Sequence, residues 1–173
     1  MKITTGTIAA VIACVLAMPG MASAATTKGA VVRHANTPPG LILQGVTVPA
    51  GATTLYLSGQ LAAQVDPSRK IAPADLTIAD FGDTKTQTIS VFTKIKTILA
   101  AQGYAMSDII KLTVFVAGDP KLGGKMDFAG MNDAFKMFFG TADNPNTVAR
   151  STVQVAALAG PAFLVEIEAT AAK

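Results

Sequence analysis

The chain has 173 residues and a formal net charge of +3. Half of its residues are apolar and 14% are charged, which bounds it to about one domain with a sizeable core. So small a positive charge, no tryptophan and no basic run exclude the electrostatic footprint of a nucleic-acid binder. One cysteine, Cys14, and one histidine, His34, argue against a disulfide framework, a catalytic triad and a histidine-rich metal site.

The first 24 residues have the layout of a secretory signal peptide. Lys2 precedes an apolar run over about residues 7–18, and Pro19-Gly20 leads to the small-residue box Ala22-Ser23-Ala24. That run falls short of the roughly 20 residues a membrane-spanning helix needs. The expectation is cleavage after Ala24 and a mature domain over residues 25–173. The mature protein would be periplasmic or secreted, with no membrane association and one positive charge fewer. Cys14, in Val-Ile-Ala-Cys, also loosely fits a lipoprotein box; a lipid anchor is the alternative, while under the signal reading the mature chain has no thiol.

Residues 31–38 hold a short strand ahead of Pro38-Pro39-Gly40, and residues 41–48 a second strand-like piece. Residues 53–60 are β-branched and aromatic and predict a stronger strand, ending at Gly59, where a missing side chain lets another group approach. Residues 61–82, with two prolines and mixed charges, predict a long surface loop. Ile89, Phe92, Ile95 and Leu99, widened by Val91 and Ile98, predict a helix capped by Asp83 or Thr84 and ended by Gly103. Residues 108–118 read as a buried strand. Residues 127–140 predict a second helix with Phe128, Met131, Phe135 and Phe139 inward, Asp127 as cap and Gly140 as stop. Gly123-Gly124 reads as a turn, because the residues of a phosphate-binding loop do not follow it.

Residues 146–158 alternate as a strand. Ser151, Val153, Val155 and Ala157 take one face, and Arg150, Thr152, Gln154 and Ala156 the other. Gly160-Pro161 turns the chain into a last strand, residues 163–171. The order β-β-α-β-α-β-β predicts a single α+β domain with a mixed sheet and two helices on one face. The bare face requires a partner, which oligomerisation would supply.

The chemistry gathers in the last two strands. Arg150 heads a strand of valine and alanine, so its guanidinium must be solvated, paired or bound to an anion. The only glutamates, Glu166 and Glu168, share a face of the final strand. Sequential strands usually neighbour one another, so the two are expected to pair antiparallel, with Arg150 and Glu166 on neighbouring strands. On spacing alone that pair is a salt bridge; the functional alternative has Arg150 holding a substrate carboxylate while Glu166 orients a water.

Several motifs together resemble the RidA (YjgF) family over about residues 40–171. They are "RSTVQVAAL" at 150–158, "VEIEA" at 165–169, "SGQ" at 58–60, "FAGMNDAFKMFF" with Asn132, and "DIIKLTVFVAG" at 108–118. The resemblance implies a chorismate-mutase-like fold, a homotrimer with sites between subunits, and hydrolysis of a 2-imino or 2-enamino acid to a 2-keto acid and ammonia. It implies Arg150 on the substrate carboxylate, Glu166 positioning water, a backbone contact near Thr152, and Ser58, Gly59 and Asn132 shaping the pocket, with no metal or organic cofactor. The chain departs from the family pattern in having Thr152 where many members carry cysteine and Ile42 where many carry tyrosine. Residues 61–82 also look longer than usual for the family. Ile42 and Thr152 favour the alternative of a non-catalytic binding protein for small carboxylic acids on the same scaffold. A ribonuclease, as some family descriptions have it, fits poorly with the charge and the single histidine.

Overall fold

Helix α2, Thr84–Ala101, starts where Asp83 accepts a hydrogen bond from the Thr86 amide at 2.8 Å, and it stops before Gly103, at φ 74°. In the computed structural model, which describes residues 29–173, this helix buries Val91, Phe92, Ile95 and Leu99 against the sheet. Each such side chain contributes about 1.5–3 kcal/mol of transfer free energy. The expected signal segment, the expected cleavage site after Ala24 and Cys14 lie outside the described residues.

Among the described residues, six strands form two sheets. Strands β1, Val32–His34, and β2, Gly45–Thr47, make a small antiparallel ribbon. Strands β3 (Thr54–Leu61), β4 (Ile109–Ala117), β5 (Ala149–Val155) and β6 (Val165–Ala172) make the main sheet, in the order β3-β6-β4-β5. Strand β6 runs antiparallel to both neighbours, and β5 is parallel to β4. Leu112, Val114 and Val116 of β4 and Val165, Ile167 and Ala169 of β6 face the helices and are buried. Helix α3, Phe128–Phe135, packs beside α2 on this face, so the mixed sheet with two helices on one side is as expected. The opposite face carries Tyr56, Lys111, Thr113, Phe115, Val153 and Glu168, with Tyr56 78% exposed.

The final strand is not beside β5. It sits in the interior of the sheet, and β5 pairs with β4 instead, so the expected antiparallel β5–β6 pair does not form. Residues 156–164 carry the chain past β4, and Val165, Ile167, Ala169 and Ala171, all buried, suit an interior strand better than an edge.

Other local differences have clear causes. Strand β3 runs through Gly59 to Leu61, because a bulge absorbs the glycine. Residues 41–48 pair only at Leu43 and over 45–47. Within the 61–82 connection, Asp80 accepts from the Thr77 amide at 2.9 Å and pairs with Arg69 at 2.6 Å, nucleating a short helix α1, Ile78–Phe81. Helix α3 ends at Phe135. Phe128 is 45% exposed rather than inward, whereas Met131, Phe135 and Phe139 are buried as expected.

Candidate active site

Strand β5 is an edge strand, and α3 crosses its helix-side face. Two ties hold the crossing. Gln154 Oε1 accepts from the Met126 amide at 3.0 Å, and its Nε2 donates to the Gly124 carbonyl at 2.8 Å. Next to Met126, Asp127 caps the start of α3 by accepting from the Gly130 amide at 2.8 Å, and Met131 and Phe135 reach Arg150 one and two turns on. The stretch of α3 around Asn132 is thereby pinned above Arg150.

Arg150 Nη2 donates to Asn132 Oδ1 at 2.7 Å, Nη1 faces the Met131 sulfur at 3.7 Å, and the guanidinium lies 4.5 Å from the Phe135 ring centroid. A guanidinium has five N–H donors, and sulfur is a weak acceptor, so most of this hydrogen-bonding capacity is uncommitted. The chain's other arginines differ. Arg33 donates to the carbonyls of Ser107, Thr147 and Ile109 at 2.6, 2.9 and 3.0 Å, clamping the ribbon to the sheet. Arg69 is paired with Asp80. Among the described residues no carboxylate pairs with Arg150. Burial pushes its pKa down to about 10, so the half-buried group is still a cation at neutral pH. A desolvated cation with spare planar donors is chemically able to receive a carboxylate.

The salt bridge expected between Arg150 and Glu166 is absent, and the register explains why. Arg150 stands opposite Leu112 on the helix side, while Glu166 stands opposite Phe115 on the bare side, with β4 between their strands. Within one protomer the two cannot address one small substrate.

Glu166 has its own surroundings. Strand β3 carries a bulge, because Leu57 pairs with Ala169 and Gln60 with Ile167, so Ser58 and Gly59 together oppose Glu168. Glu166 lies directly against Gly59: a Cβ built there would stand 2.8 Å from Glu166 Cδ and 2.9 Å from Cγ. A shallow cavity of about 270 Å³ opens beside it, lined by Tyr56, Ser58, Lys111, Thr113 and Glu168.

The residues picked from sequence therefore fall into two groups. Arg150, Asn132 and Thr152 line the helix side of the β5 edge. The segment bearing Ile42 runs beside the start of β5, where the Leu43 amide donates to the Val148 carbonyl at 3.0 Å. Ser58, Gly59 and Glu166 lie together on the bare face. Sequence reasoning missed Met131, Phe135 and Gln154 as the supports of Arg150. Their signal was the helix-side parity of Gln154 with Arg150 and the three- and four-residue steps of α3. It also missed that the Thr152 hydroxyl is buried with no hydrogen-bond partner.

A family model described as Endoribonuclease L-PSP matches residues 44–173. A RutC family protein of Pyrococcus horikoshii is 41% identical over 92 residues, 53% of this chain and 64% of that protein. The alignment with this first relative thus spans under two thirds of the relative's length. A 2-iminobutanoate/2-iminopropanoate deaminase of Dermatophagoides farinae is 33% identical over 105 residues, 61% of this chain and 67% of that one. The crystal structure of Escherichia coli TdcF with bound serine superposes with a TM-score of 0.52 at 31% identity, covering 82% of this chain and 93% of that one.

Proposed function

The chain belongs to the endoribonuclease L-PSP family, the RidA (YjgF) proteins, and from that membership we propose that it hydrolyses 2-imino acids to 2-keto acids and ammonia. The observation that carries this reading is Arg150, a half-buried guanidinium held by Asn132 and Phe135 with donors to spare and no carboxylate of its own. Arg150 takes the substrate carboxylate in a bidentate grip and so fixes the imine carbon. Glu166 orients a water and accepts its proton as the oxygen attacks that carbon. Glu166 returns that proton to the nitrogen, giving a neutral carbinolamine, and then relays the hydroxyl proton to the nitrogen as well, so that the C–N bond breaks, ammonia leaves with both water hydrogens and the C=O of the keto acid forms.

Because Arg150 and Glu166 leave opposite faces of one sheet, the reading requires a second copy of the chain. The β5 edge of one protomer would lie against the Ser58–Glu166 region of the next, in a homotrimer whose bare sheet faces turn inward. Tyr56 and Val153, exposed on that face, support a covered surface. Export through the 1–24 segment is part of the proposal. The weak net charge gives the ribonuclease reading no support.

The test generates imino acids with an amino-acid oxidase in the presence of semicarbazide. Adding the protein should lower the semicarbazone signal, and Arg150→Ala should restore it. No effect across several imino acids would overturn the deaminase reading and leave the second one, a binding protein for small carboxylic acids. Thr152 and Ile42 favour that reading, and the TdcF relative holds serine. It predicts a ligand-dependent rise in melting temperature without ammonia release.

A further inference from the structure

Gly59 has no positive φ to justify it, so the backbone there would accept any residue. Space is the constraint. In a bulge two consecutive residues meet one on the partner strand, and the local twist re-aims the side chains. Here Ser58 and Gly59 meet Glu168, which turns the Cα–Cβ direction of Gly59 from the helix side to the bare face. The volume a side chain would fill there is occupied by the Glu166 carboxylate, with Cγ and Cδ 2.9 and 2.8 Å from an ideal Cβ, closer than real Cβ contacts come.

We infer that Gly59 is a positioning residue: the bulge presents a gap, and the Glu166 carboxylate is seated in it against the β3 backbone. The inference rests on the deaminase reading only for its kinetic consequence, since the seating itself is steric. A methyl at position 59 pushes the carboxylate away from the attacking water while leaving the Arg150 grip untouched. Displacement of a catalytic group by about 1 Å costs on the order of 10²-fold in rate.

The experiment compares Gly59→Ala, Glu166→Asp, Glu166→Gln, Glu166→Ala and the doubles Gly59→Ala/Glu166→Asp and Gly59→Ala/Glu166→Ala in imine hydrolysis and thermal melting. Gly59→Ala should lower kcat about 10²-fold with KM little changed. The shorter aspartate should recover part of that loss in the Gly59→Ala background, although Glu166→Asp alone slows the wild type. Melting gives a readout that needs no activity. Gly59→Ala should lower Tm when Glu166 is present and leave it unchanged when position 166 is alanine. Full activity of Gly59→Ala, or an equal Tm loss in the Glu166→Ala background, overturns the inference. Should Gly59→Ala be insoluble, failure of both doubles to restore soluble protein overturns it as well. Full activity of Glu166→Gln would instead sink the deaminase role of Glu166 and leave the steric result to stand on Tm alone.

Discussion

Arg150 and Glu166 project from opposite faces of the main sheet, with β4 lying between their strands. In their proposed roles, as carboxylate clamp and water-orienting group, the two meet only across two copies of the chain. Mixing subunits tests this directly. Arg150→Met and Glu166→Gln subunits, each inactive alone, should regain activity when refolded together, to about a quarter of the wild-type level for random assembly of a cyclic oligomer. No activity in the mixture would place both residues in one protomer's site and contradict the sheet order.

Arg150→Met should abolish turnover without lowering the melting temperature. Burial lowers the guanidinium pKa, so the folded state disfavours the charged form, and no carboxylate offsets that cost. The sign fixes a pH dependence. The penalty on the cation is present below about pH 10 and relieved above it. Any Tm advantage of Arg150→Met over the wild type should therefore shrink as pH rises through that value. A large Tm loss at neutral pH would show instead that Arg150 serves the fold.

Thr152→Val should raise stability by about 1 kcal/mol, because a buried hydroxyl without a partner is replaced by a methyl of similar shape. Activity should persist if only the backbone there is used. Loss of turnover with unchanged Tm would assign the hydroxyl to the substrate.

Asp83→Ala should destabilise the protein by about 1 kcal/mol through loss of the α2 cap. The Thr86 amide, the largest cause, holds the Asp83 carboxyl below the ordinary carboxylate range. Its contribution is present above the unfolded-state pKa and disappears as pH falls through the lower folded one. Denaturant melts of wild type and variant should therefore converge in acid.

Under the proposed export, the protein should begin at Ala25 when its N-terminus is sequenced. A start at Cys14 carrying lipid would replace the signal-peptide reading with the lipoprotein one.

The local reading of the chain was largely right where the physics is local. Periodicity marked α2 through Phe92, Ile95 and Leu99, and Asp83, Gly103 and Asp127 mark helix ends as capping chemistry requires. Phe128 broke the pattern because α3 begins there: one turn of helix short of the core, the ring stays 45% exposed. Gln87 was unreadable. Fully buried in α2, it donates to the Gly82 and Ala162 carbonyls, each at 3.0 Å, and accepts from the Leu164 amide at 2.8 Å, partners that only the tertiary fold brings together.

Alternation along each strand, set by the backbone's two-residue period, determined from sequence alone that Arg150, Thr152 and Gln154 share a face and that Glu166 and Glu168 share another. Which strands lie side by side was decided only in three dimensions. Pairing depends on how a whole apolar strand is best buried, and β6, with Val165, Ile167, Ala169 and Ala171 inward, gains more from an interior position than from following its sequence neighbour. That one choice separates Arg150 from Glu166.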